Sequence, residues 1–234
     1  MRLKNKIAVI TGGGRGIGKA IALGFASEGA TVIIAARTKN EITLAAEEIR
    51  KSDGESLAVV CDVSNEDMVK NLINVTLENY GKIDILVNNA GIGGARPVYA
   101  IPLESFSNIL QINLIGTFLC TKHVWQPMKS SGGGSIINIS SLGGLVGYPM
   151  LSAYCASKWG QIGFTKSCAE EGKKVNIRVN SIAPGKADTT IRALVKEDKS
   201  KMLRAEDHIS ACVFLASDDS KYITGQVLPI EWFG

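Results

Sequence analysis

The chain has 234 residues, 45% hydrophobic and 21% charged, which suffices for a full core and excludes disorder as a description of the whole. Its formal net charge of +4 is spread along the sequence, so neither nucleic acid nor a membrane surface is implied as a partner. No apolar stretch reaches the roughly 20 residues of a spanning helix, the start Met1-Arg2-Leu3-Lys4-Asn5-Lys6 carries no signal-peptide pattern, and five cysteines without a C-x-x-C pair read as reduced thiols, so a cytoplasmic protein is expected.

Ile7-Ala8-Val9-Ile10 is a short continuous apolar run, the pattern of a strand buried on both faces. Ile17, Ala20, Ile21, Gly24 and Phe25 follow at helical spacing, with Gly29 as the stop. Thr31–Ala36 predicts a second strand, and Ile42, Ala45, Ala46 and Ile49 a second helix ended by Gly54. Leu57–Cys61 gives a third strand, Val69, Leu72, Ile73 and Thr76 a third helix closed by Gly81, and Ile83–Val87 a fourth strand. The pattern then predicts a long helix over Phe106–Met128, a strand Ser135–Ile139 and a helix Tyr154–Glu171. A strand Ile177–Ile182, a helix Ala205–Ala216 and a last strand Gln226–Ile230 complete the series. Strands alternating with helices imply right-handed crossovers in a parallel sheet. The expected fold is one α/β domain over residues 1–234, a Rossmann-type doubly wound parallel sheet of about seven strands with helices on both faces.

The turn after the first strand, Thr11-Gly12-Gly13-Gly14-Arg15-Gly16-Ile17-Gly18, lies where an open α/β sheet binds its ligand. Glycines there let the backbone turn sharply and approach a pyrophosphate, to which the helix N-terminus offers N–H groups and partial positive charge. The spacing is G-x-x-x-G-x-G, over Gly12, Gly16 and Gly18, rather than the G-x-G-x-x-G of two-domain dehydrogenases. Gly13 to Lys19 also fits a nucleotide triphosphate loop, but Ala20 stands where that motif needs a hydroxyl for magnesium, so the dinucleotide reading ranks above it. At the end of the second strand, Ala35-Ala36-Arg37-Thr38-Lys39 has no carboxylate to bind a ribose 2′-hydroxyl. Arg15 and Arg37 either clamp a 2′-phosphate or are two solvated surface arginines. The missing acid tips the expectation to NADP(H) as the preferred cofactor, with NAD(H) as the alternative.

A second cluster carries the chemistry. Tyr154 and Lys158 are four apart on a predicted helix and project from one face. Asn138-Ile139-Ser140-Ser141 ends the preceding strand, with Ser141 thirteen residues before Tyr154. A free tyrosine, with a pKa of about 10, is a poor base near neutrality. An adjacent ammonium stabilises phenolate, and a shift of roughly three units takes about 4 kcal/mol, within reach of two close cations in a partly desolvated cleft. A serine hydroxyl beside the phenol can hold a substrate oxygen, so the set suits proton transfer to a carbonyl while hydride arrives from a cofactor. Tyr-x-x-x-Lys alone commonly marks a surface pair. Its order after the glycine turn gives it weight.

With these motifs in this order, the chain resembles the compact single-domain branch of the short-chain dehydrogenase/reductase family over about residues 4–230. The resemblance implies cofactor contacts at Thr11, Gly12, Gly14, Arg15, Gly16, Ile17 and Gly18, and at Arg37. It adds Asp62 and Val63 as the pair that holds adenine, Asn89, Ala90 and Gly91 from the Asn88-Asn89-Ala90-Gly91 motif, and Pro184, Gly185 and Thr189 near the nicotinamide. Tyr154 is implied as general acid in reduction and base in oxidation. Lys158 is implied to bind the nicotinamide ribose and lower the tyrosine pKa, Ser141 rather than Ser140 to orient the substrate oxygen, and Asn113 to hold a water leading from Lys158 to solvent. No metal is needed, and the only histidines, His123 and His208, read as surface or helix-end residues. The implied activity is hydride transfer between NADP(H) and a small carbonyl or secondary alcohol, in a homodimer or homotetramer joined through long helices.

Three places depart from the family pattern. Ala187 replaces a branched apolar residue that helps hold the carboxamide. The polar segment 188–204, with Arg192, Lys196, Lys199 and Lys201, is the expected mobile stretch and is short for a substrate lid. The chain runs Pro229-Ile230-Glu231-Trp232-Phe233-Gly234 in place of an Asp-Gly-Gly turn, an aromatic tail suited to packing on another subunit. The loop Leu142–Leu151, with Leu145, Val146, Tyr148, Pro149 and Met150, is expected to line the cleft opposite Ile92 and Gly93. It is mostly apolar and has no cation, which points to a neutral, partly apolar substrate: a 3-oxoacyl thioester first, then a cyclic ketone, polyol or sugar. Rival classes are a cofactor-binding scaffold or sensor without turnover, and a nucleotide triphosphate enzyme. The Ser-Tyr-Lys-Asn set argues against the first and Ala20 against the second.

Overall fold

Runs that are apolar at every position form strands covered on both faces, and stripes at helical spacing form the layers that cover them. The computed structural model describes residues 1–187 and 202–232. β1 (Ile7–Thr11), β2 (Thr31–Ala36), β3 (Ser56–Val60), β4 (Ile85–Asn88), β5 (Gly134–Ile139), β6 (Ile177–Pro184) and β7 (Val227–Ile230) make one sheet. Its order is β3-β2-β1-β4-β5-β6-β7, and every neighbouring pair is parallel. The helices are α1 (Gly16–Ser27), α2 (Lys39–Lys51), α3 (Glu66–Tyr80), α4 (Leu103–Leu110), α5 (Gly116–Ser130), α6 (Ser152–Gly172) and α7 (Ile209–Ala216).

Side chains alternate across a strand, so each strand feeds two cores. Ala8, Ile10, Val32, Ile34, Ile85, Val87, Ile137 and Ile182 face one way and pack with Ile21 and Phe25 of α1, Ile42 and Ile49 of α2, and Val213 and Leu215 of α7. Val9, Ile33, Leu86, Ile136 and Val179 face the other way and pack with Val69 and Leu72 of α3, Val124 and Met128 of α5, and Cys168 of α6. The result is the doubly wound Rossmann-type fold expected from the pattern. Strand order reverses at β1, whose neighbours are β2 and β4, so a crevice opens at the carboxyl ends of β1 and β4.

Element boundaries differ from the sequence reading in three informative places. The long helix expected over Phe106–Met128 begins at Leu103, whose exposed side chain lies off the apolar stripe. It is also interrupted: Gln111–Ile115 form one π-helical turn between α4 and α5. The helix expected at Ala205 opens as a 3₁₀ turn, Ala205–His208, tied by Arg204 N–H donating to Asp207 Oδ2 at 2.8 Å. His208, expected at a surface or helix end, stands at a helix end but is fully buried, and His123 is paired with Glu66 at 2.8 Å. All five cysteines are free and buried. Burial pushes the Cys61 thiol up to about 12, so it stays protonated and unreactive near neutrality.

The expected lid segment lies mostly outside the described residues, as do Thr189, Arg192, Lys196, Lys199 and Lys201. Its flanks are described: Ala187 and Leu203 form a parallel bridge, with Leu203 N–H donating to Lys186 O at 2.8 Å.

Phe25 is among the largest side chains with no solvent exposure, and it fills the core between α1 and the sheet. Phe25→Ala should cost about 3–5 kcal/mol of stability in urea unfolding, and a loss below about 1 kcal/mol would mean that this core is not close-packed.

Candidate active site

The crevice begins with a turn that only glycine allows. Gly12 and Gly16 have φ of +64° and +54°, the left-handed region, and a Cβ at Gly18 would collide with the carbonyl of Gly12 and the side chain of Asn89. Asn89 Nδ2 donates to the carbonyls of Thr11 and Gly12, both at 3.0 Å. Thr11 Oγ1 accepts from the amides of Asn89 and Ala90, both at 3.1 Å. Two expected cofactor residues, Thr11 and Asn89, thus tie β1 to the end of β4 and shape the turn with their side chains. α3 is capped by Asn65 Oδ1, which accepts from Met68 N–H at 3.0 Å, whereas α1 has no side-chain cap. The first-turn amides of α1 therefore face the crevice side of the turn without a side-chain acceptor, a setting that fits a pyrophosphate.

Around the turn, Gly14 packs on Glu41 and Ile42, and Ile17 packs against the first core. Arg15 Nη1 is 3.2 Å from Glu41 Oε1, and Arg37 Nη1 is 3.9 Å from Asp62 Oδ2. Asp62 Oδ1 also accepts from the Ser64 amide and hydroxyl at 3.0 and 2.6 Å. Val63 is buried against Gly116, so it can offer a ligand only its backbone. Lys19 pairs with Glu48 of α2 at 2.6 Å. It does not reach the turn as a triphosphate-loop lysine must, which removes that rival reading.

Past the carboxyl ends of β4 and β5 stands the second cluster. Tyr154 and Lys158 lie on one face of α6, with Lys158 Nζ 5.8 Å from the centre of the half-buried Tyr154 ring. Lys158 is only 4% exposed. Its ammonium donates to Ile139 O at the end of β5 (2.7 Å) and to Gln161 Oε1 (3.2 Å). Burial draws its pKa down to about 7. Ser141 Oγ accepts from Gly143 N–H at 3.1 Å, which leaves its own O–H as a donor. Ser140 is turned inward and donates to the carbonyl of Lys158 at 3.2 Å, so of the two serines Ser141 is the one at the cleft surface.

Asn113 sits in the π-helical turn and is fully buried. Its Oδ1 accepts from Ile92 N–H at 2.8 Å, and its Nδ2 donates to Ile92 O and Ser157 Oγ, each at 3.0 Å. The Asn113 side chain therefore pins the loop after β4 to α6. Ala90 and Gly91 begin that loop, and a Cβ at Gly91 would stand 3.2 Å from Asn113 Oδ1 and 3.8 Å from Lys158 Nζ. Pro184 ends β6, and Gly185 N–H donates to Ile230 O at 2.8 Å. A cleft of ≈ 200 Å³ opens beside the cluster, lined by Ile92, Gly93, Arg96, Ile101, Asn108 and Ala153 among others. Arg96 N–H donates to Met150 O at 2.8 Å, joining this loop to the Leu142–Leu151 loop. Among the described residues no three His, Cys, Asp or Glu gather as a metal site, and no helix is long and apolar enough to cross a membrane.

A glycine turn at a strand-order reversal, facing a helix that carries tyrosine and lysine, defines a dinucleotide-dependent oxidoreductase. The short chain dehydrogenase family model matches residues 6–200. A 3-oxoacyl-[acyl-carrier-protein] reductase FabG of Thermotoga maritima is 38% identical over 99% of this chain and 98% of its own. A 3alpha-hydroxysteroid dehydrogenase of Mediterraneibacter gnavus is 37% identical over 99% and 97%. A solved structure from Beutenbergia cavernae, proposed to be an NAD(P)-dependent gluconate 5-dehydrogenase and holding NADP at low occupancy, superposes with a TM-score of 0.92 at 33% identity, covering 98% of this chain and 96% of that one. The chain belongs to the short-chain dehydrogenase/reductase family and is an NAD(P)-dependent dehydrogenase or reductase.

The lysine makes a measurable thermodynamic prediction. Its folded pKa of about 7 lies below the ordinary lysine value of 10.5, so between those pH values the unfolded chain binds more protons there. This residue's contribution to stability therefore rises with pH across that window and is least favourable below it. The urea midpoint of Lys158→Met relative to wild type should be highest below about pH 7 and fall steadily as pH rises. A difference independent of pH would contradict a buried ammonium.

Proposed function

We propose that the protein prefers NADP(H) and reduces a carbonyl to a secondary alcohol, or runs the reverse reaction, with Tyr154 as proton donor and acceptor. The observation that carries this reading is the buried Lys158 ammonium beside the Tyr154 ring, with Ser141 at the end of the neighbouring strand. A bound nicotinamide cofactor supplies or accepts the hydride. Ser141 orients the substrate oxygen, Tyr154 Oη gives that oxygen a proton in reduction and removes it in oxidation, and Lys158 stabilises the phenolate between turnovers. A scaffold that only bound the cofactor would have no use for a tyrosine activated by a neighbouring ammonium, which sets that alternative below the enzyme.

The NADP(H) preference rests on charge. β2 ends without a carboxylate, and Arg15 and Arg37 flank the turn. Each faces a carboxylate across a largely exposed pair, 60% and 62% exposed on the arginine side, and such pairs are weak in water. A dianionic 2′-phosphate competes with them effectively. For the substrate, the apolar part of the lining (Ile92, Ile101, Ala153) supports a 3-oxoacyl thioester ahead of a polyol or sugar, and Arg96 suits a substrate with an anionic end. The name of the Thermotoga relative points the same way. Ile115 and Phe118 near the start of α5 and Trp159 of α6 are exposed, which supports a homodimer or homotetramer through these helices, to be read by light scattering.

Tyr154→Phe should lower turnover by about 10²–10⁴-fold or more while NADPH binds nearly as before, followed at the nicotinamide absorbance with a panel of 3-oxoacyl thioesters, cyclic ketones and polyols. Substantial residual reductase activity would remove Tyr154 as the acid. Arg37→Ala should weaken NADPH by about tenfold, the order of one charge-assisted contact, and NADH far less; equal losses in calorimetric titration would return Arg37 to the solvated surface.

A further inference from the structure

Lys158 has a second acceptor that nothing in the motif set announces. Gln161, three residues on along α6, is fully buried, and its Oε1 lies 3.2 Å from Lys158 Nζ. Its Nε2 donates to Thr117 Oγ1 of α5 at 2.8 Å and approaches Asn113 O at 3.5 Å. Proton bookkeeping fixes which way the amide points. Thr117 Oγ1 gives its one proton to Asn113 O at 2.9 Å, so toward Gln161 it can only accept. A flipped amide would set Oε1 against a hydroxyl with no proton left and its NH₂ against the ammonium. The observed orientation is the one in which every member of the chain Asn113–Thr117–Gln161–Lys158 is satisfied.

We propose that Gln161 is a positioning residue that holds the Lys158 ammonium beside Tyr154, with Thr117 and the π-helical turn locking the amide that does so. An ammonium has three N–H groups. Ile139 O and Gln161 Oε1 take two of them, and Gly91, lacking a side chain beside Nζ, leaves room for the third to meet a ligand hydroxyl. Two acceptors on fixed elements, β5 and α6, point the third donor in one direction. One acceptor would let the chain end swing. Among the described residues the surroundings contribute nothing else of opposite charge, and burial is the cause of the Lys158 shift. β5 presents the Ile139 carbonyl, the loop after it the Ser140 hydroxyl, α5 Thr117 and the π-helical turn Asn113, all neutral, so Tyr154 is the titratable neighbour. The carboxamide oxygen therefore favours the charged lysine against its desolvation.

This inference rests on the reading of Lys158 as the cationic partner of Tyr154, but its test needs neither substrate nor turnover. The full chain is labelled at the lysine ε-carbons, and the Lys158 resonance, identified by its loss in Lys158→Arg, is followed through a pH titration by NMR. Gln161→Leu should bring the Lys158 midpoint down by about one pH unit, a tenfold change in the ratio of charged to neutral lysine, because a hydrogen bond to the charged form is gone. Gln161→Glu, which keeps an acceptor and adds a negative charge, should move it up. Midpoints unchanged in both variants overturn the proposal, as do midpoints displaced in the same direction. Should Gln161→Leu fail to fold, Gln161→Glu decides alone, an unmoved midpoint again overturning the role. Loss of the acid/base role of Tyr154 would show instead as activity retained in Tyr154→Phe, with the titrations unaffected.

Discussion

An ammonium enclosed by protein must be held by acceptors or give up its proton. Lys158, 4% exposed, does the first with the carbonyl that ends β5 and the amide of Gln161, and stands with a pKa of about 7 on the edge of the second. That balance organises the site. A charged lysine at this point stabilises negative charge on the neighbouring phenol, and its position relative to the glycine turn is set by strands that belong to one sheet. The desolvation cost is met locally by hydrogen bonds and globally by the cores on the two faces of the sheet.

The sheet brings together parts that are far apart in sequence. The glycine turn follows β1, the Ala90–Gly91 loop follows β4, Ser141 follows β5 and Gly185 follows β6, so all four open at the same carboxyl edge. Side chains then stitch neighbouring ends to one another, Asn89 to the turn and Asn113 to the Ile92 loop, and the Arg96 backbone amide joins the Met150 loop. Beneath the edge, buried polar groups continue the stitching, with Asn88 donating to Asn138 Oδ1 at 2.9 Å across β4 and β5 and Asn138 to Thr165 of α6 at 2.8 Å. Asn88 Oδ1 is the one side-chain atom of this network left without a partner among the described residues, and the remaining bonds hold β4, β5 and α6 in register.

The fold was legible because parallel strands buried on both faces leave a signal few other structures share, short apolar runs such as Ile7–Ile10 separated by helical stripes. The site was legible where spacing maps directly onto geometry, as for Tyr154 and Lys158 one turn apart. It was less legible where a side chain's partner lies on another element. The side chains of Thr11 and Asn89 also build the turn, and that of Asn113 grips a loop, roles that spacing alone does not show. Gln161 and Thr165 extend the inward stripe of Tyr154 and Lys158 along α6, a polar stripe at helical spacing that was open to reading and was passed over. The π-helical turn and the 3₁₀ start before α7 have no periodic signature and arise from packing. Thr189 and most of the polar segment 188–204 lie outside the described residues.

The account turns on one coupling, between the amine of residue 158 and the phenol of residue 154. Ultraviolet difference titration of tyrosine ionisation in the cofactor-bound protein measures it directly. The account predicts one phenol ionising well below the ordinary tyrosine range, absent from Tyr154→Phe and returned toward that range in Lys158→Met. Superimposable ionisation curves for all three proteins would contradict it.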